Sequence, residues 1–412
     1  MAVNGLDVAR IKKDFPILDR DVHSKRLVFL DSAASSQKPT QVLEAMQRYY
    51  ETTHANVHRG VYAIAEEATA LYEGTRAKLA RFIGAPQERE IVFTKNATEA
   101  VNVVAYSWGR ANLREGDAVL LTEIEHHANL VPWLMLQEER GIELRYLPMG
   151  DDYELDLTDL DRLVDGVKLV GITAMSNVLG TLPPVRRIAD AAHATGAVVV
   201  VDGSQYVPHL RTDVQAMGAD FFAFTGHKML GPTGIGVLWA RSELLEAMPP
   251  FLGGGDMIRD VRLDGFVPND VPWKFEAGTP PIAEAVGLGA AVDYLDALGM
   301  EAVREHEIEL TAYALRTLTA RYGDDITIQG PSEPASRGGL VSFSFRDFHP
   351  HDVSQVLDEH GVCVRAGHHC AKPLMRRLGV SATARASFSV YNDEADVDAL
   401  ADALDEVTAL FG

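Results

Sequence analysis

Cysteine is almost absent from this chain: 412 residues include two, Cys363 and Cys370. Two cannot build a disulfide framework, and no CxxC pair is present for zinc or an iron–sulfur cluster. No uncharged apolar run reaches 18 residues, which excludes a membrane-spanning helix and makes a membrane an unexpected partner. The opening MAVNGLDVARIKKDFP has no apolar stretch behind its charges, so a secretory signal is not expected and a reducing cytoplasm is. Basic residues are the minority, 38 Lys and Arg against 59 Asp and Glu, for a formal net charge of −21. A field of that sign repels phosphate backbones, so nucleic acid is not an expected partner. Internal repeats and low-complexity linkers are also missing.

What is present is the balance of a soluble globular chain, 47% apolar and 24% charged. At about 150 residues per domain, the length suggests two or three. Short apolar runs read as buried strands: 90–94, 118–123, 143–148, 169–175, 197–202, 221–225 and 236–240. Helix-period segments such as 97–111 and 184–196 lie between them. Buried strands joined by helices predict an α/β fold with a mostly parallel sheet. From about residue 283 the texture changes: a helical stretch over 283–322, then strands over 341–348, 362–367 and 385–390 with a helix around 351–360. That pattern predicts a large domain over 18–290 and a smaller α+β domain over 291–412, with the segment 1–17 packing on the latter.

Four segments can carry chemistry. In FTGHKMLGPTGIG (224–236), Lys228 follows a strand and precedes a Gly-rich turn. Most lysines are solvated, and the Walker-A pattern is not matched, but a lysine in such a pocket can be deprotonated and form a Schiff base with an aldehyde cofactor. In VVVVDGSQ (198–205), Asp202 ends an apolar strand, either as a helix cap or at the ligand-binding edge of the sheet. Lys228 lies 26 residues further on. An amine and a carboxylate meet two needs of pyridoxal phosphate, an anchor for its aldehyde and a partner for its ring nitrogen. Thr98, where strand turns into helix in TKNATEAVN (94–102), can help cradle its phosphate, with Thr225 and His227 flanking the lysine.

In TEIEHHANLVPW (122–133), His126 at a strand end can stack on a pyridine ring; no helical i, i+4 histidine accompanies the pair to make a metal site. In VCVRAGHHCAKPLM (362–375), Cys370 lies in a loop beside two histidines, where a thiol can act as a nucleophile, whereas Cys363 alternates with valines in a strand. Three adjacent ligands at 368–370 make a poor zinc site, and no metal is expected. Arg365 and Arg385 can form bidentate clamps on a carboxylate.

With those residues in view, the sequence resembles the pyridoxal-phosphate-dependent cysteine desulfurases. It is most similar to the SUF-type (group II) branch, which also contains the selenocysteine lyases. The likeness runs through FLDSAASSQKP (29–39), ANVHRG (55–60), EHHANLVPW (125–133), SNVLGT (176–181), DGSQ (202–205), TGHKMLGPTGIG (225–236), FEAGTP (275–280), RAGHHCA (365–371) and RASFSVYN (385–392). It implies the aminotransferase-like fold (type I) and a homodimer. It implies Lys228 as the Schiff-base lysine, Cys370 as the nucleophile and His126 as the ring-stacking acid/base. Asp202 would hold the pyridinium nitrogen and Gln205 the ring hydroxyl. Thr98, Thr225 and His227 would hold the phosphate, with Thr279 of the partner subunit, and Ala97 joins the cofactor-binding set. Asn177, Arg365 and Arg385 would orient the substrate, and His58 and Arg59 would line the site from across the dimer.

The implied activity converts L-cysteine to L-alanine and an enzyme-bound persulfide that supplies sulfur for iron–sulfur cluster assembly. Thr225 stands where some relatives carry serine, and the hydroxyl is retained. The short RAGHHCA loop implies that a sulfur-acceptor protein of the SUF system comes to the thiol. A selenocysteine lyase would share these residues. An aminotransferase-like or kynureninase-like enzyme would not need Cys370, and a silent scaffold would need neither Cys370 nor Lys228.

Overall fold

The computed structural model describes residues 5–412. Seven strands form the main sheet: β1 (Ile91–Thr94), β2 (Ala118–Thr122), β3 (Glu143–Leu147), β4 (Val167–Thr173), β5 (Val198–Asp202), β6 (Phe221–Thr225) and β7 (Gly236–Ala240), in the order β1-β7-β6-β5-β4-β2-β3. Neighbours pair in parallel except β7, which runs antiparallel to both β1 and β6. The seven predicted strands are all present: 221–225 and 236–240 match residue for residue, and the other ends shift by at most two residues. β1, β2 and β6 are buried at every position, which is why they read as unbroken apolar runs and not as alternation.

Because β7 alone is reversed, the carboxyl ends of the other six strands and the start of β7 share one edge. Thr94, Thr122, Thr173, Asp202 and Thr225 close their strands there. This is the edge at which open α/β sheets bind ligands. The segment predicted as one helix over 97–111 begins as an α-helix (Ala97–Val103) and widens into a π-helical turn (Val104–Gly109). The helical stretch predicted over 283–322 is two helices, Ile282–Leu298 and Met300–Tyr322. Gly299 separates them at φ +81°, a conformation that favours glycine.

A second sheet is made of β8 (Ile326–Gln329), β9 (Leu340–Phe345), β10 (Arg365–Gly367) and β11 (Thr383–Ser387), in the order β8-β9-β11-β10. Helices Pro350–Glu359 and Glu394–Phe411 cover it, and their apolar faces form a core with Val341, Phe343, Val353 and Leu400. The run predicted as one strand over 362–367 divides: Val362–Cys363 pairs in parallel with Val28–Phe29, and β10 joins the second sheet. In the segment 5–17, Lys12 Nζ reaches Asp393 at 2.6 Å and Asp396 at 3.1 Å. Phe15 is wedged between the rings of Tyr294 and Tyr391. The first four residues of the predicted 1–17 segment lie outside the described residues.

One buried ion pair ties the sheet edge to the FEAGTP segment. Arg76, 2% exposed, donates to both carboxylate oxygens of Glu276, at 2.7 and 2.9 Å. The same carboxylate accepts from the Phe93 N–H in β1 at 2.7 Å and from the Tyr72 hydroxyl at 3.1 Å. Arg76 also pairs with Glu73 at 2.7 Å, so neutralising Glu276 leaves its buried guanidinium with a second carboxylate but weakens the charge-assisted bonds to the first. Glu276→Gln should therefore destabilise the fold by about 1–3 kcal/mol, read as a lower urea midpoint. An unchanged midpoint would show that the pair contributes nothing net.

Candidate active site

A cavity of about 210 Å³ opens at the shared edge of the main sheet. Its wall includes Ala97, Thr98, His126, Asn177, Asp202, Gln205, Thr225, His227, Lys228 and Arg365, ten of the residues singled out from the sequence. Each arrives from a strand end: Asp202 closes β5, Thr225 closes β6, and Lys228 sits in the 3₁₀ turn Gly226–Lys228 immediately after β6. Ala97 and Thr98 open the helix after β1. Asn96 caps that helix through its side chain, which accepts from the Glu99 N–H at 2.9 Å. Gly236 makes this close approach possible, since a Cβ there would meet the Asn96 backbone at 2.5 Å.

Burial pushes the Lys228 amine down to about 8, and the guanidinium groups of Arg385 and Arg365 push the same way, opposed by Asp202 and Cys370. His126 is lowered to about 4, first by burial and then by Lys228. Its Nδ1 accepts from the Ala128 N–H at 3.0 Å, so the neutral ring carries its proton on Nε2. Burial, Lys228 and Lys38 together lower His227 to about 4. Gln205 donates from Nε2 to the Ala33 carbonyl at 2.8 Å, and Asp202 accepts from the Ser204 N–H at 2.9 Å.

The groups fit pyridoxal phosphate. The buried Thr225 hydroxyl has no hydrogen-bond partner within the chain, and it stands beside the N–H groups of a helix start that have no intrahelical acceptor. That pairing suits an anion. Asp202 sits across the cavity wall, where a ring nitrogen can meet a carboxylate, and Lys228 supplies an amine.

Cys370 comes from the loop between β10 of the second sheet and the helix Lys372–Arg377. Several contacts hold this loop on the sheet edge. His127 N–H donates to the Cys370 carbonyl at 2.8 Å, and Asn177 Nδ2 donates to the His369 carbonyl at 2.6 Å. Arg365, which lines the cavity, reaches Cys370 Sγ at 3.6 Å. His369 and Cys370 have φ values of +49° and +57°, left-handed conformations that cost about 1–3 kcal/mol each unless the surroundings impose them.

Arg385 is wholly buried and lies opposite Arg365 in the β10–β11 pairing. Its terminal nitrogens already donate to the Asn177 carbonyl at 2.8 Å and to Asp31 at 3.2 Å, leaving Nε unpartnered. Cys363 is half-buried in its short strand rather than fully buried, and burial pushes its thiol up.

Five of the fifteen expected site residues do not line this cavity: Cys370 and Arg385 stand next to it, and the three expected from across a dimer lie away from it. His58 pairs with Glu73 at 2.7 Å, and Arg59 pairs with Asp256 at 2.7 Å. Thr279 lines a separate hollow with Tyr72, Phe93 and Phe251.

Sequence reasoning missed Glu125, Asp31 and His127. Glu125 is buried behind His126 and accepts from Thr122, Asn129 and the Thr173 N–H at 2.7–2.8 Å. Burial, with Asp202 adding to it, pushes its carboxyl up to about 8. Its one signal in the sequence is its place next to the histidines in EHHAN.

The lowered Lys228 pKa has a direct consequence. Below about 8 the amine is protonated and has no lone pair for an aldehyde; above it, the amine is free. Uptake of pyridoxal phosphate by the cofactor-free protein should therefore accelerate with rising pH around a midpoint near 8, followed by visible absorbance. A midpoint near the ordinary lysine value of about 10.4 would contradict the burial argument, and Lys228→Arg should take up no reducible cofactor at any pH.

Comparison with known proteins agrees with this geometry. The aminotransferase class-V family model matches residues 28–400. A probable cysteine desulfurase of Streptomyces coelicolor is 52% identical over 413 residues, covering 99% of this chain and 98% of its own. A cysteine desulfurase of Haloferax volcanii is 48% identical over 420 residues, 98% of each chain. Among solved structures, the apo cysteine desulfurase of Thermococcus onnurineus has a TM-score of 0.92 at 39% identity, covering 97% of each chain. A cysteine desulfurase of Escherichia coli, solved as its S-sulfonic acid, has a TM-score of 0.91 at 40% identity, covering 98% of this chain and 99% of that one. The fold, the lysine at the strand end and the likeness along the whole length lead to one conclusion: the chain belongs to the class-V aminotransferase family of pyridoxal-phosphate enzymes and, within it, to the cysteine desulfurases.

Proposed function

We propose that this enzyme converts L-cysteine to L-alanine and leaves the sulfur as a persulfide on Cys370. The observation that carries the reading is the docking of the Cys370 loop onto the edge that holds Lys228, with Arg365 touching both the cavity and Sγ. Pyridoxal phosphate, when bound, supplies the electron sink that lets the bond between carbon and sulfur break.

Each of the chain's own residues has a part in this reading. Asp202 holds the ring nitrogen, Gln205 the ring hydroxyl, and Ala97, Thr98, Thr225 and His227 the phosphate end. Arg365 and Arg385, with Asn177 beside them, orient the substrate carboxylate. Arg385 Nε is the buried donor still without a partner. Lys228, freed as a neutral amine, moves the proton at the substrate α-carbon. His126 stacks on the ring and holds its proton on Nε2, ready to donate. The Cys370 thiolate attacks the substrate sulfur. A sulfur–sulfur bond forms as the carbon–sulfur bond breaks, and the carbon takes up a proton to become the methyl group of alanine. One cysteine and one enzyme thiol thus give one alanine and one persulfide.

The persulfide then passes to a sulfur-acceptor protein of a SUF-type system for iron–sulfur cluster assembly. The short loop supports this, because a pinned thiol needs its acceptor to approach. A homodimer is also part of the proposal. Val61 and Leu263 are almost fully exposed apolar side chains, at 95% and 110%, and Thr279, His58 and Arg59 lie away from their own cavity. Thr279 of the partner subunit would complete the phosphate site, with the partner's His58 and the partner's Arg59 lining it. Two units, 18–290 and 291–412, with residues 5–17 of the N-terminal segment against the second, organise the chain in this reading. A reducing cytoplasm suits two free thiols, and no helix among the described residues is long and apolar enough to cross a membrane.

The substitution Cys370→Ser tests the assignment. It removes no group of the cofactor cradle, so the variant should still bind pyridoxal phosphate, while alanine release from cysteine falls by about a hundredfold or more, in the range of losing a nucleophile. Cys363→Ser should retain most activity. Alanine release by Cys370→Ser at the parent rate would place the nucleophile elsewhere.

A further inference from the structure

Two imidazoles hold the backbone around Cys370. The Cys370 N–H donates to His368 Nδ1 at 3.1 Å, and the Lys372 N–H donates to His127 Nε2 at 3.0 Å. A backbone N–H can only donate, so both ring nitrogens must be the unprotonated ones. The neutral tautomers are thereby fixed: His127 carries its proton on Nδ1 and His368 on Nε2. The two rings face each other with centroids 5.7 Å apart and planes tilted by 35°. A third bond, from the His127 N–H to the Cys370 carbonyl, ties the same residue to the thiol's own peptide.

We propose that His127 and His368 are positioning residues that clamp the Cys370 loop in its left-handed conformation, and that the clamp closes only while both rings are neutral. Protonating His127 converts its Nε2 from acceptor to donor and sets it against the Lys372 N–H. Protonating His368 does the same against the Cys370 N–H. Protonating both also places two cations ring to ring. The inference deepens the reading of Cys370 as the nucleophile, since it concerns what aims that thiol.

The surroundings of His127 favour its neutral state. His127 is held below the usual histidine range, first by burial and then by His368 and Lys372. His126 lies 6.3 Å from its ring, and Arg365 stands beside Cys370 Sγ. On the loop's other side His369 is buried and hydrogen-bonded to Thr383. Among the described residues, no carboxylate is hydrogen-bonded to either clamp ring. For His127 this fixes the sign: a base whose pKa is lowered in the folded loop stabilises that loop at high pH and releases it as pH falls.

Hydrogen exchange on the holoenzyme tests this without requiring turnover, so its outcome is independent of whether Cys370 is the nucleophile. The protection factors of the Cys370 and Lys372 amides, corrected for intrinsic exchange, should fall about tenfold or more between about pH 8 and about pH 5, the effect of losing one hydrogen bond. The β5 amides should hold theirs. In His127→Gln/His368→Asn, whose amide oxygens accept without titrating, the fall should shrink or vanish. In His127→Ala/His368→Ala, protection should be low at both values. Wild-type protection that is unchanged at pH 5 would overturn the clamp. So would a fall in the Gln/Asn variant as large as in the wild type. If the Gln/Asn variant is unprotected even at pH 8, the wild-type profile against the β5 control decides alone.

Discussion

Lys228, Asp202, Arg365, Arg385 and Asp31 are charged groups gathered at one edge of a sheet, where desolvation works against every charge. Both guanidinium groups act on Asp31, and Asp202 is the carboxylate that most strongly opposes the lowering of Lys228. An amine gives up its proton far more readily than a guanidinium. Burial accordingly lowers the Lys228 pKa to about 8, so its amine loses its proton at a far lower pH than an ordinary lysine. The arrangement depends on β7 running backwards, which brings Gly236 and the cap at Asn96 to the same edge as Asp202 and Thr225. The chemistry of the site is thus a consequence of sheet topology combined with a charge imbalance in a poorly solvated place.

The thiol reaches that edge from a different part of the chain. Its loop leaves β10, adopts two successive left-handed residues and is tied down by Asn177 and His127 from the large sheet and by His368 and His369 from its own segment. Asn177, expected to face the substrate, spends its side-chain N–H on the His369 carbonyl. Arg385 spends both terminal nitrogens on Asn177 and Asp31. Residues that a motif reading assigns to the substrate also hold the Cys370 loop, so the proposed substrate groups and the thiol share one hydrogen-bond network.

Much of this was legible in the sequence. Apolar runs ending in Asp202 and Thr225 gave both the strands and the edge, because a strand buried on both faces leaves its first polar residue at the end. The lysine, the helix start at Ala97 and the histidine after β2 followed from their positions relative to those strands. Pairings between distant segments were not legible. Asp31 with Arg385, Glu125 with Thr173, and Val28–Phe29 with Val362–Cys363 join residues far apart in sequence, which periodicity does not register. The split of 362–367 between two sheets has the same cause: one residue, Val364, separates two strands with different partners. The break at Gly299 was visible as a glycine, but a glycine inside a helical pattern does not announce its φ. The His127–His368 clamp was hidden because it rests on ring nitrogens accepting from backbone, which side-chain type alone does not reveal.

The central claim is that sulfur leaves the substrate onto Cys370. The most direct measurement is peptide mass spectrometry of the holoenzyme after brief exposure to L-cysteine, without reductant and with thiols trapped by alkylation. The account predicts one added sulfur on the peptide carrying Cys370, reversed by reductant, and none on the peptide carrying Cys363. Added sulfur on Cys363 alone, or alanine released with no sulfur on either peptide, would contradict it.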